Sequence, residues 1–306
     1  MKGKAIGVDI GGTSVKGVVC NTSGEVLMTT RVPTDASLGK DAILRAVSQV
    51  ILELKTQHPD VGAIGIGTAG QVNVQTGQVV YATDNLPGWH GFMLADWVEE
   101  QFCLPVAVDN DANVALVGEA WTGAARGLTD VGMLTLGTGV GGAHIIEGNV
   151  HRGATWRGGE WGHVTLIPGG RPCNCGRKGC MEQYLSGSAL VRDASEAEGK
   201  TYDHGEEVLR AAADGALGAS SVLQQFQQHL VIAVMNMAWI INPQAIVIGG
   251  GVVDAKSYWW DDFLMKLKEE GLEIDVRWAT LGNYAGSIGA AKLGLEKLGL
   301  MKETHL

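Results

Sequence analysis

Apolar residues along this chain change their period several times. In residues 40–57, Ile43, Ala46, Val47, Val50, Ile51 and Leu54 recur three and four apart. That spacing lines one face of a helix. The preceding 35 residues alternate instead. Residues 5–8 form a short apolar run, Gly11-Gly12 turns the chain, and Val15, Gly17 and Val19 alternate with Lys16, Val18 and Cys20. A turn-rich stretch at 21–25 leads to a third run at 26–32. Three strands joined by tight turns predict an antiparallel meander. Beyond the helix, 61–66 reads as a buried strand, 94–102 as a short helix, 106–108 as a strand and 112–121 as a helix after Asp111.

The pattern then starts again. Residues 132–136 read as a strand, 137–142 as a glycine loop, 143–146 as a strand and 147–149 as a turn. A strand, a glycine turn and a strand thus occur near residue 10 and near residue 138, which predicts two α/β domains. Residues 153–182 are rich in glycine and cysteine without a clear period, and the chain turns helical from about 186. A late strand at 245–248 runs into Gly249-Gly250-Gly251, with helices around 256–270 and 285–299. No low-complexity linker is visible, so a boundary is expected inside or beside a helix near 115–120. The expected division is 1–115, with a C-terminal helix at about 289–306, against 116–288 carrying the cysteine loop.

Charge narrows the function. Lys plus Arg is 23 and Asp plus Glu is 33, a net −10. Nucleic-acid binders normally show the opposite balance, and no basic run marks a membrane surface. The longest apolar stretch, 231–241, is interrupted by Asn236 and is too short to span a bilayer. Five cysteines in 306 residues are too few for a disulfide framework, so a reducing cytoplasm is expected.

Glycine is the outlying residue, with 45 copies, roughly twice the usual share. Two strings match G-x-G-x-x-G: Gly65, Gly67, Gly70 and Gly137, Gly139, Gly142. A dinucleotide site needs a helix directly after the loop. Here QVNVQTGQVVYA and AHIIEG follow, both strand-like. A tight glycine hairpin remains, whose amides can meet a phosphate. Asp9, Gly11, Gly12 and Thr13 form one such loop. Gly137, Thr138 and Gly139 form a second, and Gly249, Gly250 and Gly251 close the late strand. Asp9 would repel phosphate unless Mg²⁺ lies between them. Lys16 is a candidate phosphate partner, although a strand-surface lysine is more often solvated. The glycine surplus as a whole reads as active-site backbone.

Cys173, Cys175 and Cys180 can face one ion, and Zn²⁺ takes four sulfur or imidazole ligands. His163 and His151 are candidates for the fourth place. Asp111 follows a buried strand and opens a helix, where it, Asp109 or Asn110 could simply cap.

Taken together, DxGGT at Asp9, LTLGTGVGG, GEWGH, CxCGxxGCxE and the late IGGG resemble the ROK sugar kinases and repressors, a branch of the sugar kinase, heat-shock ATPase and actin superfamily. The likeness runs from residue 4 to about 298. It implies two ribonuclease H-like (actin/hexokinase-type) α/β domains with a cleft between them. It implies ATP with Mg²⁺, and a structural Zn²⁺ held by His163, Cys173, Cys175 and Cys180. It makes Asp111 the base that takes the proton from a sugar hydroxyl. Asn110, Glu160, His163 and Glu182 become sugar contacts, with Asn85 and Gly70 as weaker ones. A homodimer or homotetramer in the cytoplasm is implied as well.

The expected activity is ATP-dependent phosphorylation of a hexose, glucose at its 6-hydroxyl, with no nucleic acid or membrane partner. An N-acetylmannosamine or N-acetylglucosamine kinase and a fructokinase are the alternatives. A sugar-responsive repressor is a further one, set back because only eight residues precede Asp9, too few for a DNA-binding segment.

Overall fold

The computed structural model describes residues 3–83 and 86–301. In chain order the strands are β1 (Lys4–Ile10), β2 (Ser14–Asn21), β3 (Val26–Pro33), β4 (Ala63–Thr68), β5 (Gln71–Asn73), β6 (Gln78–Tyr81), β7 (Val106–Asn110), β8 (Val131–Leu136), β9 (Val140–Ile146), β10 (Asn149–Val150), β11 (Ala245–Gly249) and β12 (Asp275–Trp278). The helices are α1 (Lys40–Gln57), α2 (Leu94–Phe102), α3 (Asp111–Thr122), α4 (Glu182–Leu185), α5 (Gly187–Glu198), α6 (Gly205–Ala213), α7 (Leu217–Ile241), α8 (Gly251–Asp254), α9 (Trp260–Glu269) and α10 (Ala285–Lys297). The chain forms two compact units. The first holds residues 1–129, 144–159 and 283–306, and the second holds 130–143 and 160–282.

In the first unit the strand order is β3-β2-β1-β4-β7. The predicted meander is the antiparallel β1-β2-β3 edge, and β1, β4 and β7 run parallel. Every residue of β4 is buried, as expected for a parallel strand covered on both faces. Helix α1 buries the six apolar residues of the predicted stripe, together with Leu44. Helix α10 packs on β1, β4 and α3. Its approach is so close that a Cβ at Gly7 would overlap the backbone at Ser287 and Ala291, and one at Gly65 the backbone at Ala290. A Cβ at Gly67 would collide with Val114 of α3. Gly65 and Gly67 therefore lie inside a strand and serve helix packing, not a ligand loop. This corrects the reading of the glycine surplus as active-site backbone.

The second unit carries β8, β11, β12 and the first half of β9, in the order β9-β8-β11-β12. Strand β11 is parallel to both β8 and β12. Short β12 fell in a stretch without a sequence assignment. Its two ends are exposed and its two middle residues half-buried, so no strand alternation marks it. The predicted loop at 137–142 is shorter, because β9 already begins at Val140. An apolar core under α7 and α9 contains Leu134, Leu230, Met237, Ile248 and Phe263. No helix among the described residues is long and apolar enough to cross a membrane.

Candidate active site and metal centre

Parallel strands end together, and their carboxyl edge is where α/β folds place ligands. In the first unit, β1, β4 and β7 align Asp9, Gly67 and Asp109 in one row across that edge. The next row is Ile10, Thr68 and Asn110. Just beyond lie Gly11-Gly12-Thr13, Gly70 and Asp111. The Gly11 amide donates to the Ser14 carbonyl at 3.1 Å, closing a tight turn that leaves Gly12 and Thr13 exposed.

Capping at α3 falls to one residue. The Asn110 side-chain oxygen accepts from the Ala112 and Asn113 amides at 2.9 and 3.2 Å. Its Nδ2 donates to the Gly70 carbonyl at 3.0 Å. Asn110 thus satisfies the helix start and ties it to the end of β4. Asp111 accepts from the Ala112 amide at 2.8 Å and is not needed as the cap. Burial raises its carboxyl above the ordinary range, against hydrogen bonds from Ala112 and Asn110 that lower it. Burial also pushes Asp9 up to about 6, opposed by Lys16 and reinforced by Asp111. Lys16 Nζ sits 3.9 Å from Asp9, so this lysine faces the carboxylate row and is not merely solvated. Two crowded carboxylates with raised proton affinity are a ready place for a divalent cation.

Asp109 is 1% exposed and fully engaged. Its Oδ2 accepts from Arg152 Nε and Nη2 at 2.9 and 2.7 Å. Its Oδ1 accepts from the Asn110 amide and Asn113 Nδ2 at 2.7 and 2.9 Å. Arg152 was absent from the sequence reading. It lies 43 positions from Asp109, and no spacing signals so distant a pair. Buried Trp89 donates its Nε1 to Thr68 Oγ1 at 2.8 Å. Asn85 lies outside the described residues.

In the second unit, two glycine turns meet at the carboxyl edge of β8 and β11. The Gly137 amide donates to the Gly139 carbonyl at 3.0 Å, and Thr138 at the tip is exposed. Gly250 has φ of +88° and lies against Leu136, where a Cβ would overlap the backbone. Gly251 then opens α8 with free space around it. Glu182 accepts from the Val140 amide at 3.2 Å, and its carboxylate occupies the space a Cβ at Gly139 would need. That glycine lets the hairpin approach a carboxylate.

His163, Cys173, Cys175 and Cys180 bring one ligand atom each within 4.8 Å of one another. Sγ atoms of Cys175 and Cys180 are 3.6 Å apart, and Cys173 Sγ is 3.7 Å from His163 Nδ1. A tetrahedral zinc with bonds near 2.3 Å spaces its sulfurs by about 3.8 Å, so the donor set fits. Four protein donors leave no open position, which makes the ion structural. With Nδ1 turned to the cysteines, Nε2 is the nitrogen left for another partner. The knuckle is shaped by a bridge between Pro172 and Lys178, and by the Cys173 amide donating to the Arg177 carbonyl at 2.8 Å. Arg177 Nη2 donates to the His163 carbonyl at 2.7 Å. Glu160 precedes the short helical turn Trp161–His163, and its carbonyl accepts from the His163 amide at 3.1 Å. His151, the other histidine considered for the fourth ligand, belongs to the first unit and stacks on His144 with ring centres 5.0 Å apart. Cys20 is a buried thiol, pushed up to about 12 by burial. Cys103 is exposed where it caps α2 in a left-handed conformation.

Residues 5–297 match the sequence profile of the ROK family. This chain belongs to the ROK family. ROK relatives of known name agree over nearly the full length. A glucokinase of Halalkalibacterium halodurans is 38% identical, covering 94% of both chains. The crystal structure of a ROK family glucokinase from Streptomyces griseus, in complex with glucose and AMPPNP, is 34% identical. It superposes with a TM-score of 0.83 over 96% of this chain and 100% of its own. A ROK hexokinase from Thermus thermophilus is 33% identical, with a TM-score of 0.85 over 97% and 100%. The two-domain α/β fold of the actin and hexokinase type is thus the fold of this ROK chain.

Proposed function

We propose that this protein is an ATP-dependent glucokinase, transferring the γ-phosphoryl of ATP to the 6-hydroxyl of glucose. The observation that carries this reading is Asp111. Its carboxylate sits at the carboxyl edge of a parallel sheet, relieved of capping by Asn110, with its proton affinity raised by burial. A carboxylate so tuned can accept a hydroxyl proton as the oxygen attacks phosphorus. Phosphoryl transfer asks little more of the protein than positioning and charge neutralisation.

In this reading Asn110, Gly70, Asn85, Glu160, His163 and Glu182 contact the sugar. The Asn110 bond to Gly70 holds those two in register, and Nε2 of His163 is turned away from the cysteines. Asp9, Gly11, Gly12, Thr13 and Lys16, together with Gly137, Thr138, Gly139, Gly249, Gly250 and Gly251, serve the nucleotide and its Mg²⁺. When bound, Mg²⁺ supplies the positive charge that neutralises the phosphates. A cytoplasmic location goes with this reading, as does a homodimer or homotetramer, supported by exposed Ile232, Trp239 and Ile240 on α7.

ADP release with MgATP over a panel of hexoses and N-acetylhexosamines tests the assignment. Glucose should give the highest kcat/KM. A preference for N-acetylmannosamine, N-acetylglucosamine or fructose would reassign the substrate, and no ADP release with any sugar would sink the kinase reading.

A further inference from the structure

The ion pair behind the base goes beyond that reading. The turn at Glu147 and Gly148, with φ of +50° and +76°, has the two left-handed residues of a tight hairpin turn. It sends the chain back along the end of β9 as β10, with Val150 paired to Ile145. The His151 amide donates to the His144 carbonyl at 2.9 Å, extending that pairing. Arg152 leaves the hairpin at this point, with Nη1 held 3.3 Å from the Val150 carbonyl. Its Nε and Nη2 both reach one oxygen of Asp109. Asp109 in turn holds the Asn110 amide and the Asn113 side chain. One carboxylate therefore fixes both the last residue of β7 and the first turn of α3, with Asp111 between them.

We propose that Arg152 is a positioning residue for phosphoryl transfer. It grips the buried carboxylate of Asp109, fixes the strand-to-helix turn that carries Asn110 and Asp111, and cancels a negative charge two residues before the base. The inference rests on the assignment of Asp111 as base. Its physical ground is that a carboxylate buried to this depth is tolerated only when paired. Unpaired, Asp109 must either draw in water or shift, and either response moves the neighbouring Asn110-Asp111 peptide. Displacing a reacting group by about 1 Å can cost on the order of 10²-fold in rate.

The test compares Arg152→Gln, Arg152→Lys and the double variant Asp109→Asn/Arg152→Gln in steady-state phosphorylation, well below the melting temperature of each. Arg152→Gln should lower kcat by about 10- to 100-fold while KM for ATP stays within about twofold. Arg152→Lys keeps a cation without the two-pronged grip and should recover part of the loss. The double variant, which no longer buries an unpaired charge, should turn over at least about threefold faster than Arg152→Gln alone. Such relief by a second substitution separates positioning from a merely lost structural contact. A kcat for Arg152→Gln within about twofold of wild type overturns the proposal. A loss relieved by neither the lysine nor the second substitution overturns it as well. If Arg152→Gln does not fold, Arg152→Lys decides: a loss of about threefold or more supports the proposal, and wild-type turnover overturns it. Wild-type protein that phosphorylates no sugar would instead refute the kinase reading, an outcome seen before any variant is measured.

Discussion

The carboxylate row of the first unit and the cysteine knuckle of the second are held in shape by different means. Asp9 and Asp109 stand near the ends of buried parallel strands and Asp111 opens the helix after β7, so packed elements and protein hydrogen bonds position all three. Their surroundings are complete without any ligand: an asparagine cap, an arginine grip and a lysine facing the outermost carboxylate. The knuckle at 163–182 has little apolar content. Its residues are tied by short loop bonds and by four donors that converge on a point. A metal there replaces the core that the segment lacks. The first arrangement stores cost as buried charge, and the second stores it as dependence on an ion.

The largest expected effect tests whether the carboxylate row is chemistry or scaffolding. Asp111→Asn should reduce kcat by about 10²- to 10⁴-fold with glucose binding and melting temperature retained. Activity within about tenfold of wild type removes the base assignment. A collapse of the fold would show that Asp111 belongs to the scaffold.

Cys175→Ser should strip the metal and lower activity by about 10- to 100-fold, because His163 and Glu182 lose their common support. Elemental analysis and limited proteolysis at 163–182 read this directly. Wild-type protein purified without zinc would end the contrast between the two regions.

Asp9→Asn probes the cost of buried charge. Ionising Asp9 is opposed in the folded state, so its stabilising contribution is full below the unfolded value near 3.8 and is lost as pH rises through about 6. The variant should therefore be more stable than wild type at pH 8, by at most about 3 kcal/mol, and the gain should fade towards pH 4. Chemical denaturation at both pH values, without nucleotide or Mg²⁺, measures it. A gain that is constant with pH would remove ionisation as the cause.

The smallest effect is Gly65→Ala. The added methyl meets the Ala290 backbone of α10 and should cost about 1–3 kcal/mol, with kcat per folded molecule unchanged. Reduced kcat at full stability would return Gly65 to the active site.

Much of this was legible in the chain. The stripe in 40–57 marks α1 because one helix face meets one core. The three cysteines stand out because their spacing is local, whereas the choice of His163 over His151 comes from the family resemblance and agrees with the cluster in the fold. Local patterns fail where a contact joins distant residues. Arg152 and Asp109 lie on a hairpin and a strand with no shared period. Gly65 and Gly67 matched a ligand string, yet their lack of a side chain answers to α10 and α3, elements the string does not contain. Asp9, Asp109, Asn110 and Asp111 stand out in the sequence because they break apolar runs at strand ends, and the family resemblance then gives Asp111 and Asn110 their expected roles. Their division of labour, with Asn110 as the cap and Asp111 spared from capping, follows from the hydrogen bonds of the folded chain.

Helix α10 has one more consequence, for synthesis. It covers the faces of β1 and β4, strands made more than two hundred residues earlier. The growing chain must therefore carry an uncovered apolar sheet through most of translation. While it waits, the second unit can gather its own core and its metal. The N-terminal half of the molecule should be among the last parts to become protease-resistant on the ribosome, and the stretch most in need of a chaperone until residues 285–297 emerge.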